Sequence, residues 1–144
     1  MARMRLIKLS REEFGTADEL EKYFSETLPN RNPPGLFRIT NGRISEDGLL
    51  PGETILFSYN NNICFITTAK TGRMSNTYMP DEDNKYPYCF KIDLPPRKAS
   101  IPLEDLERKL QEMISFKKSF KGSGWTKIPD GELTDQAVEK LFSA

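Results

Sequence analysis

The sequence predicts an α+β domain, a small curved or barrel-like sheet with two or three helices packed outside it. Three observations lead there. Short β-rich runs are scattered along the chain, amphipathic segments with helical spacing interrupt them, and Pro/Gly clusters separate the two kinds without any internal repeat or interdomain linker. At 144 residues the chain suits a single domain spanning 1–144. Its 37% hydrophobic and 29% charged residues make it an ordinary globular sequence rather than a disordered or fibrous one.

Residues 3–9, RMRLIKL, alternate well enough to form a first strand. In the segment that follows, Phe14, Leu20, Tyr23, Phe24 and Leu28 lie near helical spacing. Thr16 and Glu19 have capping-box spacing, so the main helix is expected to start there. PNRNPPG at 29–35 ends it. GLFRIT is strand-like, and a turn-rich stretch leads to PGE at 51–53. TILFSYNNNICFITTA then reads as a β-hairpin, because asparagine tolerates the left-handed backbone of a tight turn.

KTGRMSNTYMPDEDNK, 70–85, is a polar loop of a length that is often functional in compact domains. YPYCFKIDL is a further strand, ended by the prolines at 95–96. IPLEDLERKLQEMI places Leu103, Leu106, Leu110, Met113 and Ile114 on one helical face. A basic loop or short strand, SFKKSFKGSGWTKIP, precedes a closing helix in DGELTDQAVEKLF, capped near Thr134.

Several function classes fall away. The chain has no histidine, which excludes a histidine triad or an imidazole-ligated metal. Cys64 and Cys89 form no CxxC and read as buried thiols of a cytoplasmic protein. KTGRMS lacks the glycine spacing and Gly-Lys-Ser/Thr ending of a phosphate loop. PDED at 80–83 reads as a solvated loop tip rather than a cation site. No apolar run approaches the roughly 18–20 residues of a membrane span, and the apolar run near the start is too short for a signal-peptide core. No cofactor is implied, and nothing selects a carboxylate pair for catalysis.

Aromatic and basic residues remain. Lys plus Arg and Asp plus Glu both number 21, so the net charge is zero and any nucleic-acid face must be local. Phe57, Phe65 and Phe90 suit the core. Phe37 after the proline break, Tyr59 at a strand end, Tyr78 in the long loop, Tyr86 beside Pro87, and Trp125 in the lysine-rich loop are candidates for stacking on a nucleobase. Arg73, Lys117, Lys118 and Lys121 are candidates for phosphate contacts. Packing rings and ordinary surface charges are the alternative for each set.

The order of these elements resembles an EVE domain of the PUA-like superfamily, to which YTH domains are related. PGE before an apolar strand, YPYCFKI as the start of a central strand, and KIP before an acidic C-terminal helix carry the resemblance. It implies a mixed barrel of about five to six strands flanked by two to three helices. It also implies a pocket that takes a flipped, often methylated base into an aromatic cage.

By position, Phe37 matches the cage aromatic after the first helix, Tyr78 that of the long loop, and Tyr86 a second wall. MRLIKLS lacks the aromatic common in the family's first strand, and Phe37 and Tyr78 stand where relatives often carry tryptophan. The implied partner is DNA, or alternatively RNA, with a modified base. The implied setting is the N-terminal specificity domain of a modification-dependent restriction protein, with a fused or associated nuclease or AAA+ motor. An RNA-binding PUA-like protein and an enzyme acting on a nucleotide-like small molecule are the competing readings.

Overall fold

The first predicted strand becomes an inner strand of a five-stranded sheet. The computed structural model describes residues 4–39, 48–78, 86–113 and 125–128. Strand β1 (Met4–Leu9) runs parallel to β3 (Thr54–Tyr59), with Met4 opposite Thr54 and Leu9 opposite Tyr59. Its other edge pairs antiparallel with β8 (Trp125–Ile128). The hairpin of β3 and β4 (Asn62–Thr68) turns at Asn60 and Asn61, both at positive φ, the geometry that matches the twist of the flanking strands. Strand β7 (Arg97–Pro102) completes the order β7-β4-β3-β1-β8.

A second sheet holds β2 (Leu36–Ile39), β6 (Tyr88–Lys91) and the two-residue β5 (Met74–Ser75) in the order β2-β6-β5. The chain passes between the sheets where Ala69 bridges Ile92. Gly35 makes the approach of β2 possible. Its φ is 79°, and a Cβ there would lie 2.6 Å from the Ile92 carbonyl oxygen.

The mixed α+β character is as the sequence predicts, but the barrel is corrected. Among the described residues eight strands form two sheets, and the ring does not close, because β8 ends the large sheet while β2 and β5 are the edges of the small one. Two strands were hidden by their surroundings: β5 lies within the long polar loop, and β7 follows directly on the proline pair. The predicted closing helix at 130–142 lies outside the described residues.

Helix α1 (Ala17–Lys22) starts at Thr16, whose hydroxyl accepts the Glu19 N–H at 3.1 Å. The Glu19 carboxylate reaches back to the Gly15 N–H at 2.8 Å, one residue earlier than a standard capping box would have it. The helix continues as a π-helical turn, Tyr23–Thr27. Helix α2 (Leu103–Met113) begins two residues later than the predicted segment, since Ile101 and Pro102 still belong to β7.

The period-two alternation of strands sorts the core into two clusters. Met4, Leu6 and Leu56 face α2 and pack with its Leu103, Leu106 and Leu110. Ile7, Leu9, Ile55, Phe57 and Phe65 face α1 and the small sheet, meeting Phe24, Phe37 and Phe90. Beneath the PGE turn the buried Glu53 carboxylate accepts Arg5 Nε–H at 2.9 Å and the Leu50 N–H at 3.2 Å. Arg5 also donates to the Gly48 carbonyl. Thus the acidic residue of that motif is a structural anchor. Cys89 is buried and Cys64 partly so, and burial pushes both thiols up.

Candidate functional site

A cavity of about 430 Å³ opens between the α1 segment and the edge strand β2, within the range of about 300–1,000 Å³ usual for small-molecule sites. Phe14, Tyr23, Phe37 and Tyr86 supply its rings. Arg31, Arg38 and Thr27 supply polar groups, and the exposed Glu12 and Glu13 complete the lining.

Each ring is held by what lies behind it. Phe14 packs edge-on against Tyr23, with centroids 4.9 Å apart, and its carbonyl accepts the Tyr59 hydroxyl at 2.5 Å. Tyr23 opens the π-helical turn, where the Leu28 N–H donates to the Tyr23 carbonyl at 2.8 Å. Such turns add a residue to the helical repeat and often occur at functional sites. Here the next residue, Phe24, enters the core and stacks on Phe65 at 4.4 Å, leaving Tyr23 at the cavity. Phe37, only 4% exposed, forms the cavity's inner surface with Phe57 and Phe90 rings 5.0 and 5.6 Å behind it.

Two guanidinium groups sit against these rings. Arg38 Cζ lies 4.4 Å from the Tyr86 centroid, and Arg31 Cζ lies 5.0 Å from the Tyr23 centroid. Arg31 Nη1 donates to the Tyr23 hydroxyl at 2.9 Å and to the Leu36 carbonyl at 2.7 Å, which uses both of its protons. Arg31 Nε is buried without a hydrogen-bond partner among the described residues. Burial pushes the Tyr23 phenol above its ordinary value, an effect opposed by the charge and hydrogen bond of Arg31.

The structure brings Phe37 and Tyr86 together in the cavity, while Tyr59, Tyr78 and Arg73 are not part of its lining. Tyr59, 4% exposed, belongs to the core and reaches the cavity only through its bond to Phe14. Tyr78 is 48% exposed and outside the lining, with Lys91 Nζ 5.9 Å from its ring centroid. Trp125 begins β8, opposite Ile7. Arg73 lies with Cζ 3.8 Å from the Tyr88 ring centroid. Lys117, Lys118 and Lys121 lie outside the described residues.

Sequence reasoning missed Phe14, Tyr23, Arg31 and Arg38. The first two resemble ordinary apolar positions of an amphipathic helix. Arg31 is embedded in a segment whose prolines and glycine signal only a chain break. Among the described residues, no three His, Cys, Asp or Glu side chains are placed to hold a metal. No described helix is long and apolar enough to cross a membrane.

Solved structures share this fold. The YTH domain of Zygosaccharomyces rouxii MRB1 protein, in complex with N6-methyladenosine RNA, matches 98% of this chain and 86% of its own, at 18% identity and a TM-score of 0.55. The Pho92 YTH domain, in complex with m6A, matches 98% and 83%, at 20% identity and a TM-score of 0.53. A hypothetical protein from Leishmania major matches 92% and 90%, at 15% identity and a TM-score of 0.51. The chain therefore has a YTH-like fold. No protein-family model matches it, and no curated protein matches it in sequence.

Proposed function

We propose that this domain binds nucleic acid and takes one modified, uncharged nucleobase into the cavity. The observation that carries this is the pairing of four rings with two guanidinium groups in one cavity lining. Aromatic cages for quaternary ammonium or methyl-lysine groups offer open π faces to a cation. Here Arg31 and Arg38 already stand against Tyr23 and Tyr86. A second cation would be repelled, whereas a flat neutral base would stack.

The energetics suit a reader. Extruding a base costs a few kcal/mol, and each aromatic stack returns roughly 1–3 kcal/mol. A buried methyl group contributes only about 0.8 kcal/mol, so discrimination also depends on hydrogen bonds at the base edge. The role is binding rather than catalysis. An enzyme reading calls for a carboxylate buried in the cavity, and among the described residues its two carboxylates, Glu12 and Glu13, are exposed, which favours binding.

The likeness to YTH domains in complex with methylated RNA supports N6-methyladenine as the first candidate base and RNA as the strand. The PGE and YPYCFKI motifs support a second reading, an EVE-type specificity module for modified DNA associated with a restriction nuclease or AAA+ motor. Arg73, Lys117, Lys118 and Lys121 are the proposed phosphate contacts, and Tyr78 and Trp125 remain candidates for flanking bases.

Fluorescence anisotropy with matched RNA and DNA strands tests this. Each strand carries one N6-methyladenine, one 5-methylcytosine, or the unmodified base. One modified strand should bind several-fold tighter than its unmodified counterpart, and Tyr86→Ala should weaken binding of that strand. Equal affinity across the panel would remove the reader function.

A further inference from the structure

The Tyr23 phenol carries a proton that no described residue accepts. Its hydroxyl oxygen accepts from Arg31 Nη1 at 2.9 Å, and among the described residues the hydroxyl has no acceptor for its own hydrogen. Arg31 cannot turn away easily, because the second proton of the same nitrogen is bound to the Leu36 carbonyl at 2.7 Å. A phenol that accepts a hydrogen bond from a cation is polarised and becomes a stronger donor. The ring is fixed as well, edge-on to Phe14 at 4.9 Å and to Phe24 at 5.2 Å.

We infer that the Tyr23 hydroxyl, held by Arg31, donates to an unprotonated ring nitrogen of the base in the cavity and thereby sets which bases it accepts. This rests on the base-reading function proposed above. A base with a carbon or a protonated nitrogen at that position leaves the phenol proton unpaired in a partly buried site, and loss of such a bond is what gives polar sites their selectivity. The phenol is neutral over the physiological range, since burial raises it further above neutrality. Tyr23 thus acts as a fixed donor, while the rings of Phe37 and Tyr86 supply stacking without regard to base identity.

The test uses the modified strand that binds more tightly in the panel above, together with deaza analogues of its modified base that replace each ring nitrogen acceptor by C–H in turn. For the wild-type domain one analogue should lose roughly tenfold in affinity. Tyr23→Phe should lose about as much on the parent strand and should no longer distinguish that analogue from it. Arg31→Lys, which keeps the charge but not the paired geometry, should weaken the same discrimination. If the wild type prefers a modified strand but the Tyr23→Phe and deaza losses simply add, the Tyr23 assignment is overturned and the reader function stands. If no modified strand is preferred, both are overturned.

Discussion

Arg38 and Tyr86 are paired within the cavity lining, the guanidinium carbon 4.4 Å from the ring centroid. Arg38 belongs to the edge strand β2 and Tyr86 to the segment just before β6, so the pair fixes one wall relative to the Phe37 surface. A wall braced in this way presents a ring at low conformational cost, the condition for efficient stacking.

Removal of that ring should therefore affect binding more than folding. Tyr86→Ala should cost about 1–3 kcal/mol on the preferred strand, the worth of one base–aromatic stack. Tyr86→Trp should retain binding. Calorimetric titration of both variants, alongside their thermal melts, checks this; an early melt for Tyr86→Ala would make the ring a packing residue.

The Arg5–Glu53 pair should matter to stability alone. Both side chains are buried and 2.9 Å apart, and removing one partner of such a pair costs about 3–5 kcal/mol. Glu53→Ala should lower the urea midpoint accordingly. Lys98→Ala breaks the exposed pair with Glu21 and should cost at most about 1 kcal/mol. Equal effects would mean that Glu53 is not the anchor of the PGE turn.

Alkaline pH should destabilise the fold through Tyr23. Burial, chiefly, raises its phenol above 10.0; Arg31 and Arg38 pull the other way, and Glu13 adds to the rise. The folded state therefore holds the proton more tightly than the unfolded one. The stability linked to this is fully present below pH 10 and is lost as pH rises through the folded value. Urea midpoints measured from about pH 8 to about pH 11 should fall for the wild type and fall less steeply for Tyr23→Phe.

Binding should depend on salt only modestly, because the chain carries 21 basic and 21 acidic residues. The slope of log affinity against log salt should correspond to only a few phosphates. Lys118→Ala should weaken modified and unmodified strands alike, since phosphate contacts do not report the base. A slope of zero would remove the basic stretch from the interface.

The sequence carried the elements whose signals are local. The Thr16 cap, the asparagine turn and the apolar faces of β3, β4 and α2 all depend on neighbours a few residues away. Two residues of the cavity lining, Phe37 after the proline break and Tyr86 beside Pro87, could be singled out from the sequence as candidate rings. Tyr78 and Trp125, the rings least called for by their polar surroundings, could not be tied to this cavity by sequence alone. Tyr59 shows the limit: a ring at a strand end can equally be a core residue whose hydroxyl finds a distant carbonyl. Tyr23 and Arg31 were hidden for another reason. One follows the register of an ordinary amphipathic helix, and the π-helical turn that brings it to the cavity has no local signature. The other acts only through a fold that brings residue 31 back against residue 23.

The most direct test is an NMR experiment that locates the modified group itself. A strand with a ¹³C-labelled methyl on its one modified base is bound to the domain, and intermolecular NOEs from that methyl are recorded. NOEs are expected to ring protons of Phe14, Tyr23, Phe37 or Tyr86, together with displacement of those ring signals on binding. A methyl resonance whose NOEs fall only on residues outside this cavity, or that shows none while the strand is bound, would contradict it.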